Sequence, residues 1–307
     1  MSFFIADAHA DTLYSIAIEG KPPEGCAVRP ETLTAGGVGL QTFALFAGPG
    51  GPQGQPYEKA VKMLGYLDSL GVPILTGNLP EKPPVGPCGI LSIEGGEVLE
   101  GSVRRLHEFA AKGVRLIAII WNNENELAYP AKGGYGPGLK PLGLEMLRSM
   151  DALGILADVS HLNEAGFYDI VERSALPVVA SHSNLKTLCG SFRNLTPDQA
   201  RALISKRGFI GINFYSYFLA DGREATIDDV VRHIEGFCEL GGEGAVGFGS
   251  DFDGIERWPE GLGDPSGFPR VLERLQRLGY TEAQVAGIAG GNFYRVLLAA
   301  QAAKKAG

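Results

Sequence analysis

The sequence predicts an α/β protein with a (β/α)8 TIM barrel, and three observations support this fold class. Short apolar runs alternate with amphipathic stretches, which is the pattern of parallel strands joined by helical crossovers. Eight such runs can be counted in 307 residues, so we expect a single domain over residues 1–307. Several of the runs are followed by polar side chains, at the ends where a barrel of this kind collects its chemistry.

The predicted strands are short and mostly apolar. A ninth run, Val72–Leu75, is expected to lie outside the main sheet. In chain order, the eight strands of the barrel are predicted over Phe3–Ala8, Gly39–Phe46, Gly89–Ile93, Arg115–Ile120, Ile155–Val159, Val178–Ser181, Phe209–Asn213 and Ala245–Gly249.

Clear helical patterns lie between these runs, and two of them begin with a capping box. In Thr196–Gln199 and Thr281–Gln284 a hydroxyl side chain precedes an amide side chain by three residues. Glycine and proline dominate Gly48–Gln55 and Tyr129–Pro141, which we expect to be irregular loops that either shape a binding site or are disordered. The helices are predicted over Tyr57–Leu70, Val98–Lys112, Gly143–Leu153, Thr196–Lys206, Thr226–Leu240 and Thr281–Ala300.

Composition excludes several classes of partner. The net charge of -8 argues against nucleic acid or an anionic membrane as a main partner, because both favour a basic surface. No run approaches the ~20 apolar residues of a membrane span, and the first predicted strand leaves no room for a signal peptide. We therefore expect a cytoplasmic protein.

The cysteines form no C-x-x-C pair and are predicted to be reduced, mostly buried thiols: Cys26, Cys88, Cys189 and Cys238.

His9 and Asp11 follow the first apolar run and are two residues apart. Successive side chains of a strand point to opposite faces, so these two project from the same side at the strand end. An imidazole and a carboxylate in this arrangement can bind one ion such as zinc. A simple His-Asp hydrogen bond is the alternative, because the H-x-D pattern is short.

The ends of four later runs carry further candidate ligands. Glu94 follows the third run, His161 the fifth, His182 the sixth, and Asp251 and Asp253 the eighth. Burying so many polar groups on one rim would be costly unless a metal or a hydrogen-bond network compensated them. The sequence therefore predicts a metal site. The remaining histidines, His107 and His233, lie in helical stretches and are expected at the surface.

The number of candidate ligands suggests two ions. His9 and Asp11 would cover one side and His161 and His182 the other, while the two oxygens of Glu94 could bridge them. A pair of metals ~3.5–4 Å apart can hold a shared hydroxide at neutral pH and polarise a carbonyl for its attack. This predicts hydrolytic chemistry.

With these residues in place, the chain resembles the M19 metallo-dipeptidases, the renal or membrane dipeptidase family within the amidohydrolase group. The resemblance covers nearly the whole chain, and the motifs that carry it are specific in combination and in order. They are Asp7-Ala8-His9-Ala10-Asp11, Glu94-Gly95-Gly96, Asp158-Val159-Ser160-His161, Ser181-His182-Ser183, Arg193-Asn194 and Gly247-Phe248-Gly249-Ser250-Asp251-Phe252-Asp253-Gly254.

The resemblance implies a binuclear zinc site with two Zn²⁺ per chain, a dipeptide as substrate and a homodimer. The dipeptides that the resemblance implies as substrates include those with a D-residue at the C-terminal end. It implies that His9 and Asp11 bind one ion, that His161 and His182 bind the other, and that Glu94 bridges them. It also implies that Asp251 handles the proton of the bridging water and that Arg193 binds the substrate carboxylate.

Elementary chemistry is consistent with the last two roles but leaves alternatives. A carboxylate beside an activated water can accept its proton and pass it to the leaving amine, and Asp253 is the rival of Asp251 for this role. The pair could instead form a loop calcium site or a turn-stabilising Asx motif. The planar fork of Arg193 matches a carboxylate, although a surface arginine ahead of a helix would look the same.

One departure from the family concerns the substrate. The animal enzymes carry a substrate-binding histidine after the fourth strand, where this chain has Trp121, followed by Asn122 as a candidate donor. A bulky indole would reshape a dipeptide pocket, so other small amides or N-acyl amino acids remain alternatives. A metal-binding barrel without catalytic activity is the rival from a different functional class.

Overall fold

The computed structural model describes residues 3–48 and 55–306, and its centre is a closed barrel of eight parallel strands in the order β1 to β8. The barrel closes where Asp7 of the first strand pairs with Phe248 of the last. The predicted (β/α)8 fold is therefore confirmed. The strands are β1 Ile5–Asp7, β2 Val38–Phe46, β3 Cys88–Glu94, β4 Val114–Ala118, β5 Leu156–Asp158, β6 Val179–Ala180, β7 Phe209–Ile212 and β8 Val246–Phe248.

Each predicted run overlaps one of these strands, and most runs extend beyond the paired residues. The ninth run lies outside the barrel, as expected. Ile74 forms an isolated parallel bridge with Gly89 of β3, and Leu75 donates to the carbonyl of Gly89 over 2.8 Å.

The helices surround the barrel, and the two predicted capping boxes are present at Thr196 and Thr281. Residues 57–70 divide into α3 and a 3-10 turn. Residues 98–112 divide near Ser102, whose side chain caps α4. The helices are α1 Thr12–Ala17, α2 Pro30–Gly36, α3 Pro56–Leu64, α4 Val103–Ala111, α5 Pro141–Leu153, α6 Glu164–Arg173, α7 Pro197–Ser205, α8 Ser216–Leu219, α9 Ile227–Glu239, α10 Phe268–Arg277, α11 Glu282–Ala286 and α12 Asn292–Ala306.

Five of these helices were not among the predicted ones: α1, α2, α6, α8 and α10. Helices α1 and α8 have six and four residues, too few to show a helical period. In α10 the buried Val271, Leu272 and Leu275 do follow the helical spacing, so this helix was detectable.

Of the two predicted irregular loops, the structure describes only Tyr129–Pro141 in full. Residues 49–54 of the predicted loop Gly48–Gln55 lie outside the described residues. The loop Tyr129–Pro141 is irregular as expected, and it packs on the fifth strand end: Pro130 bridges Leu162, and Ala131 donates to the carbonyl of His161 over 2.7 Å.

Side chains inside the barrel form a cluster with α12. Phe209 of β7 packs on Phe293 with ring centroids 4.8 Å apart, and Phe4 packs on Tyr294 at 5.5 Å. These contacts lie at the amino ends of β7 and β1, so the apolar core closes the barrel at that end. The carboxyl ends remain available for the polar side chains.

Two glycines bring the last three strand ends unusually close together. A Cβ atom on Gly211 would lie 2.0 Å from the carbonyl oxygen of Ser181, and one on Gly249 would lie 1.7 Å from the same oxygen. No side chain fits in that space. The loops that follow β6, β7 and β8 therefore begin in direct contact with one another.

The cysteines are free thiols, three of them buried and Cys238 half-buried, as predicted. His107 is exposed, but the prediction of a surface position for His233 is wrong, because its side chain is only 1% exposed. It lies on the inner face of α9 with Val230 and Ile234. The backbone N–H of Leu185 donates to its Nδ1 over 3.0 Å, and its Nε2 donates to the carbonyl of Leu219 over 3.1 Å.

No helix in the described part of the chain is both long enough and apolar enough to cross a membrane.

The buried His233 generates a prediction about acid stability. Burial lowers the pKa of this imidazole to about 4, below the value of about 6.5 in an unfolded chain. The stabilisation is therefore complete above pH 6.5 and is lost as the pH falls towards 4. The loss in the free energy of unfolding should reach about 3 kcal/mol, because a difference of one pKa unit between the folded and unfolded states corresponds to about 1.4 kcal/mol.

We expect His233→Gln to be less stable than the wild type at pH 7 and to lose less stability between pH 6.5 and pH 4, as measured by urea unfolding. His107→Gln is the matched control and should change neither quantity. An unchanged acid dependence in His233→Gln would show that another group is responsible.

Candidate metal centre

The five predicted metal ligands meet at the carboxyl ends of the strands. All are buried, with exposed fractions of 1% to 7%. They come from four strand ends, so only the closed barrel brings them together. His9 and Asp11 follow β1, Glu94 is the last residue of β3, and His161 and His182 follow β5 and β6.

Glu94 lies between the other ligands and offers a different oxygen to each side. Its Oε2 is 3.4 Å from Nε2 of His9, and its Oε1 is 3.0 Å from Nε2 of His161 and 3.6 Å from Nε2 of His182. Nε2 of His9 is also 3.5 Å from Oδ2 of Asp11. This arrangement suits a carboxylate that is shared between two sites.

The charged groups of the cluster strongly perturb one another's pKa values. Burial would lower the pKa of His9, but Glu94 and Asp11 outweigh it and raise this pKa well above its ordinary value. Burial would raise the pKa of Glu94, but the imidazoles of His9 and His161 hold it well below its ordinary value. Burial, followed by the charge of Glu94, raises the pKa of Asp11 to about 7.

The residues fit metal ions on three further observations. Nε2 of His9 and Oδ1 of Asp11 are buried without a hydrogen-bond partner among the described residues. Nε2 of His161 and Nε2 of His182 are 3.0 Å apart and face each other. In each of two triads the three potential ligand atoms lie within 4.8 Å of one another. The first triad is His9, Glu94 and His182, and the second is His9, Asp11 and Asp251. Nitrogen and carboxylate donors of this kind suit zinc.

Both triads contain His9, and one of them combines ligands from the two sides that the sequence predicts to be separate. The five residues therefore form one continuous ligand cluster.

Hydrogen bonds behind the ligands set the tautomers of His161 and His182. The oxygen of Asn122 can only accept, so Nδ1 of His161 donates to it over 3.1 Å. The hydroxyl of Ser181 donates to Asp158, so its oxygen accepts from Nδ1 of His182 over 2.7 Å. In both rings the Nε2 lone pair is left for the centre of the site.

The two aspartates after β8 have different surroundings. Both oxygens of Asp253 are used within the protein: they accept from the N–H groups of Ala27 and Val28, from the hydroxyl of Thr12 and from Nζ of Lys21. In contrast, Oδ1 of Asp251 is 3.8 Å from Nε2 of His9, and burial raises the pKa of this carboxyl. Of these two aspartates, Asp251 is the one with a carboxylate oxygen beside a predicted metal ligand.

Arg193 lies in the loop between β6 and α7 and is buried, with 5% exposed. Its Nη2 donates to the carbonyl of His182 over 3.3 Å, while its Nε has no partner among the described residues. It lines a cavity of about 260 Å³ together with His161 and the loop residue Tyr135. Arg193 is therefore no surface arginine.

Trp121 lines a second cavity of about 140 Å³, which also contains His161. Its ring packs on Phe46 at 5.1 Å between centroids, and Phe46 packs on Tyr14 at 4.9 Å. These three rings form an aromatic wall beside the ligands. Asn122, predicted as a donor to the substrate, is engaged through its oxygen by His161.

Sequence reasoning did not identify several residues that hold the site. Asp7 accepts from the N–H and hydroxyl of Ser250, and Asp158 accepts from Ser160 and Ser181. Asn213, directly after β7, donates to Oδ2 of Asp251 over 2.8 Å. Asn213 carried a usable signal, since it is a polar residue at the end of a predicted strand.

Comparisons with known proteins agree with this geometry. Residues 88–307 match the family described as "Membrane dipeptidase (Peptidase family M19)". An uncharacterised protein of Klebsiella pneumoniae is 38% identical over 218 residues, covering 68% of this chain and 80% of that protein. An uncharacterised dipeptidase of Schizosaccharomyces pombe is 34% identical over 70% of this chain, but the match spans only 55% of the yeast protein.

Two solved structures resemble the chain over nearly its whole length. A metallopeptidase described as dipeptidase AC has a TM-score of 0.87 and 26% identity, covering 98% of this chain and 99% of that one. A metallopeptidase of Rhodobacter sphaeroides, solved with a phosphinate mimic of the dipeptide L-Ala-D-Ala, has a TM-score of 0.84 and 26% identity, covering 98% and 100%. The chain belongs to the membrane dipeptidase family, peptidase family M19.

Proposed function

We propose that this protein is a zinc-dependent dipeptidase with two ions per chain. In this proposal His9 and Asp11 hold one ion, His161 and His182 hold the other, and Glu94 is shared. The observation that carries it is the position of Glu94, whose two oxygens face imidazoles on opposite sides. When bound, such a pair supplies polarisation of the scissile carbonyl and a lowered pKa for the attacking water.

The charges around the two cavities favour a zwitterionic substrate. Arg193 lines the larger cavity and can bind a terminal carboxylate through its planar fork. Among the described residues, the smaller cavity is lined by carboxylates and by no lysine or arginine. Glu19 also lines the smaller cavity and belongs to neither of the two metal-ligand triads. The negative charge of Glu19 is therefore available to an ammonium group of the substrate.

Both cavities are lined by His161, a member of the ligand cluster. A dipeptide would therefore lie with its carboxylate at Arg193 and its amino group at Glu19, which places the peptide bond near Asp251. An N-acyl amino acid has no ammonium group, so we favour dipeptides over this alternative. The aromatic wall and the small volume favour a small apolar N-terminal residue.

The residues of the chain can move the proton that hydrolysis requires. Oδ1 of Asp251 accepts a proton from the attacking water and then donates it to the leaving amine. The carboxylate of Asp253 is held by its four hydrogen bonds and is unavailable for this role. Arg193 keeps the substrate carboxylate in place during both steps.

A substrate panel tests this function. Zinc-loaded protein should hydrolyse L,L-dipeptides and, as the phosphinate mimic of L-Ala-D-Ala bound to the Rhodobacter protein suggests, L,D-dipeptides. N-acetylated versions should be poor substrates. If no member is turned over, the protein is a metal-binding barrel without this activity or acts on a different amide.

The same panel tests Arg193. In Arg193→Met, transition-state stabilisation for a free dipeptide should fall by ~2–4 kcal/mol, while the C-terminal amide of that dipeptide should hardly change, because only the free dipeptide presents the charge. Arg201→Met is the control, since Arg201 is exposed on α7, pairs with Asp198 and does not line this cavity. Equal losses on both substrates would indicate a structural role for Arg193.

Elemental analysis tests the metal ligands. Purified protein should approach two metals per chain, and Glu94→Ala should lower this number together with activity. Glu97→Gln is a matched control, because Glu97 is a buried carboxylate near the same strand end that bonds to Asn125 instead. One tightly bound ion with Glu94 dispensable would refute the binuclear arrangement.

Asp251→Asn should keep metal content and folding, because asparagine preserves the shape. Its kcat should fall by ~10²–10⁴, as for loss of a general base, and the acidic limb of the pH-rate profile should weaken. Asp253→Asn should cost stability more than kcat. Loss of metal from Asp251→Asn would instead make Asp251 a ligand.

A further inference from the structure

Asn213 is a buried residue whose side-chain orientation is determined by its hydrogen bonds. It directly follows β7 and is 0% exposed. The backbone N–H of Tyr215 donates to its Oδ1 over 2.7 Å. A backbone N–H can only donate, so the amide oxygen must point there. The amide nitrogen therefore faces Asp251, and it donates to Oδ2 of that residue over 2.8 Å.

A second asparagine holds the main chain of Asn213 on both sides. The N–H of Asn213 donates to Oδ1 of Asn184 over 3.0 Å, and Nδ2 of Asn184 donates to the carbonyl of Asn213 over 3.0 Å. Asn184 is also 0% exposed and follows the ligand His182 by two residues. The position of Asn213 is thus tied to the loop that carries this ligand.

Asp251 depends on outside contacts for its direction. Its φ is +66°, in the left-handed region that residues with a side chain rarely adopt. Of its two oxygens, Oδ2 is occupied by Asn213, and Oδ1 lies 3.8 Å from Nε2 of His9. The contact with Asn213 therefore holds the plane of the carboxylate so that its other oxygen, labelled Oδ1, faces the centre of the site.

We infer that Asn213 is a positioning residue that makes Oδ1 of Asp251 the atom that takes and returns the proton. This inference rests on the proposed function. In the first step an O–H bond of the water breaks and an O–H bond forms at Oδ1. The oxygen of that water forms a C–O bond to the carbonyl carbon. In the second step the O–H bond at Oδ1 breaks, an N–H bond forms on the leaving amine, and the C–N bond breaks with its electron pair going to nitrogen. An amide N–H donor cannot take the proton, and it keeps its bond to Oδ2 in both states of the carboxyl.

A double-mutant cycle tests the inference. Asn213→Asp keeps the shape and the acceptor for Tyr215 but replaces the neutral amide donor to Asp251 with a second carboxyl group, which competes with Asp251 for the proton. We expect kcat to fall ~10- to 100-fold while KM stays within about threefold and metal content is unchanged. In the Asp251→Asn background the same change should cost less than about threefold, because Asn213 acts through the carboxylate that is already absent.

Asn125 provides a matched control. Its amide also donates to a carboxylate, that of Glu97, and its oxygen also accepts from the N–H two residues later. Asn125→Asp should lower the melting temperature but leave kcat within about threefold. Equal kcat losses in the two single variants, or losses that multiply in the double variant, would overturn the inference.

An NMR measurement separates failure of this inference from failure of the proposed function. The side-chain amide signals of Asn213, identified by their loss in Asn213→Asp, should move when Asp251 is changed to Asn. Signals that do not move would overturn the positioning role at any level of activity. A wild type that hydrolyses no dipeptide would overturn the proton transfer, while the amide signals would still decide the positioning. If Asn213→Asp fails to fold, Asn213→Ala replaces it.

Discussion

Burial of polar side chains at one end of the barrel is the constraint on which the rest of the structure depends. Five potential ligands are nearly inaccessible to water, and Nε2 of His9 has no partner among the described residues. Such groups are costly to bury unless opposite charge or hydrogen bonds compensate them. The residues behind the ligands serve this purpose. Asp158 acts through Ser181 on His182, and Asn122 orients His161.

The same constraint explains why the last three strand ends are so close. The glycines at 211 and 249 leave room for the carbonyl of Ser181, and this lets Asn184 reach the main chain of Asn213. Because Asn213 in turn reaches Asp251, the loop carrying His182 and the loop carrying the proposed base are joined by hydrogen bonds. The position of His182 is therefore coupled to the position of Asp251 through the hydrogen bonds of Asn184 and Asn213.

The sequence predicts the barrel and the convergence of His9, Asp11, Glu94, His161 and His182, because a parallel barrel brings every strand end to one rim. It does not predict which face of a helix packs inward when the inward residue is polar. His233 illustrates this, because a histidine between apolar neighbours becomes visible as buried only when its two backbone partners are known. Asn213 has the same difficulty, since asparagine is common in turns and its partner is 38 residues away.

The contacts of Asp253 have a consequence for how the protein is made. This residue bonds to Thr12, Ala27 and Val28, which lie 241, 226 and 225 residues earlier, and β8 closes the barrel on β1. His9 and Asp11 therefore emerge from the ribosome long before Asp251 and Phe252, which they contact in the folded protein, are synthesised. During that interval His9 and Asp11 lack their native contacts with Asp251 and Phe252, and the complete site can form only after the last strand has been synthesised. Nascent chains that stall between residues 182 and 245 would carry all five ligands in a barrel that has not closed.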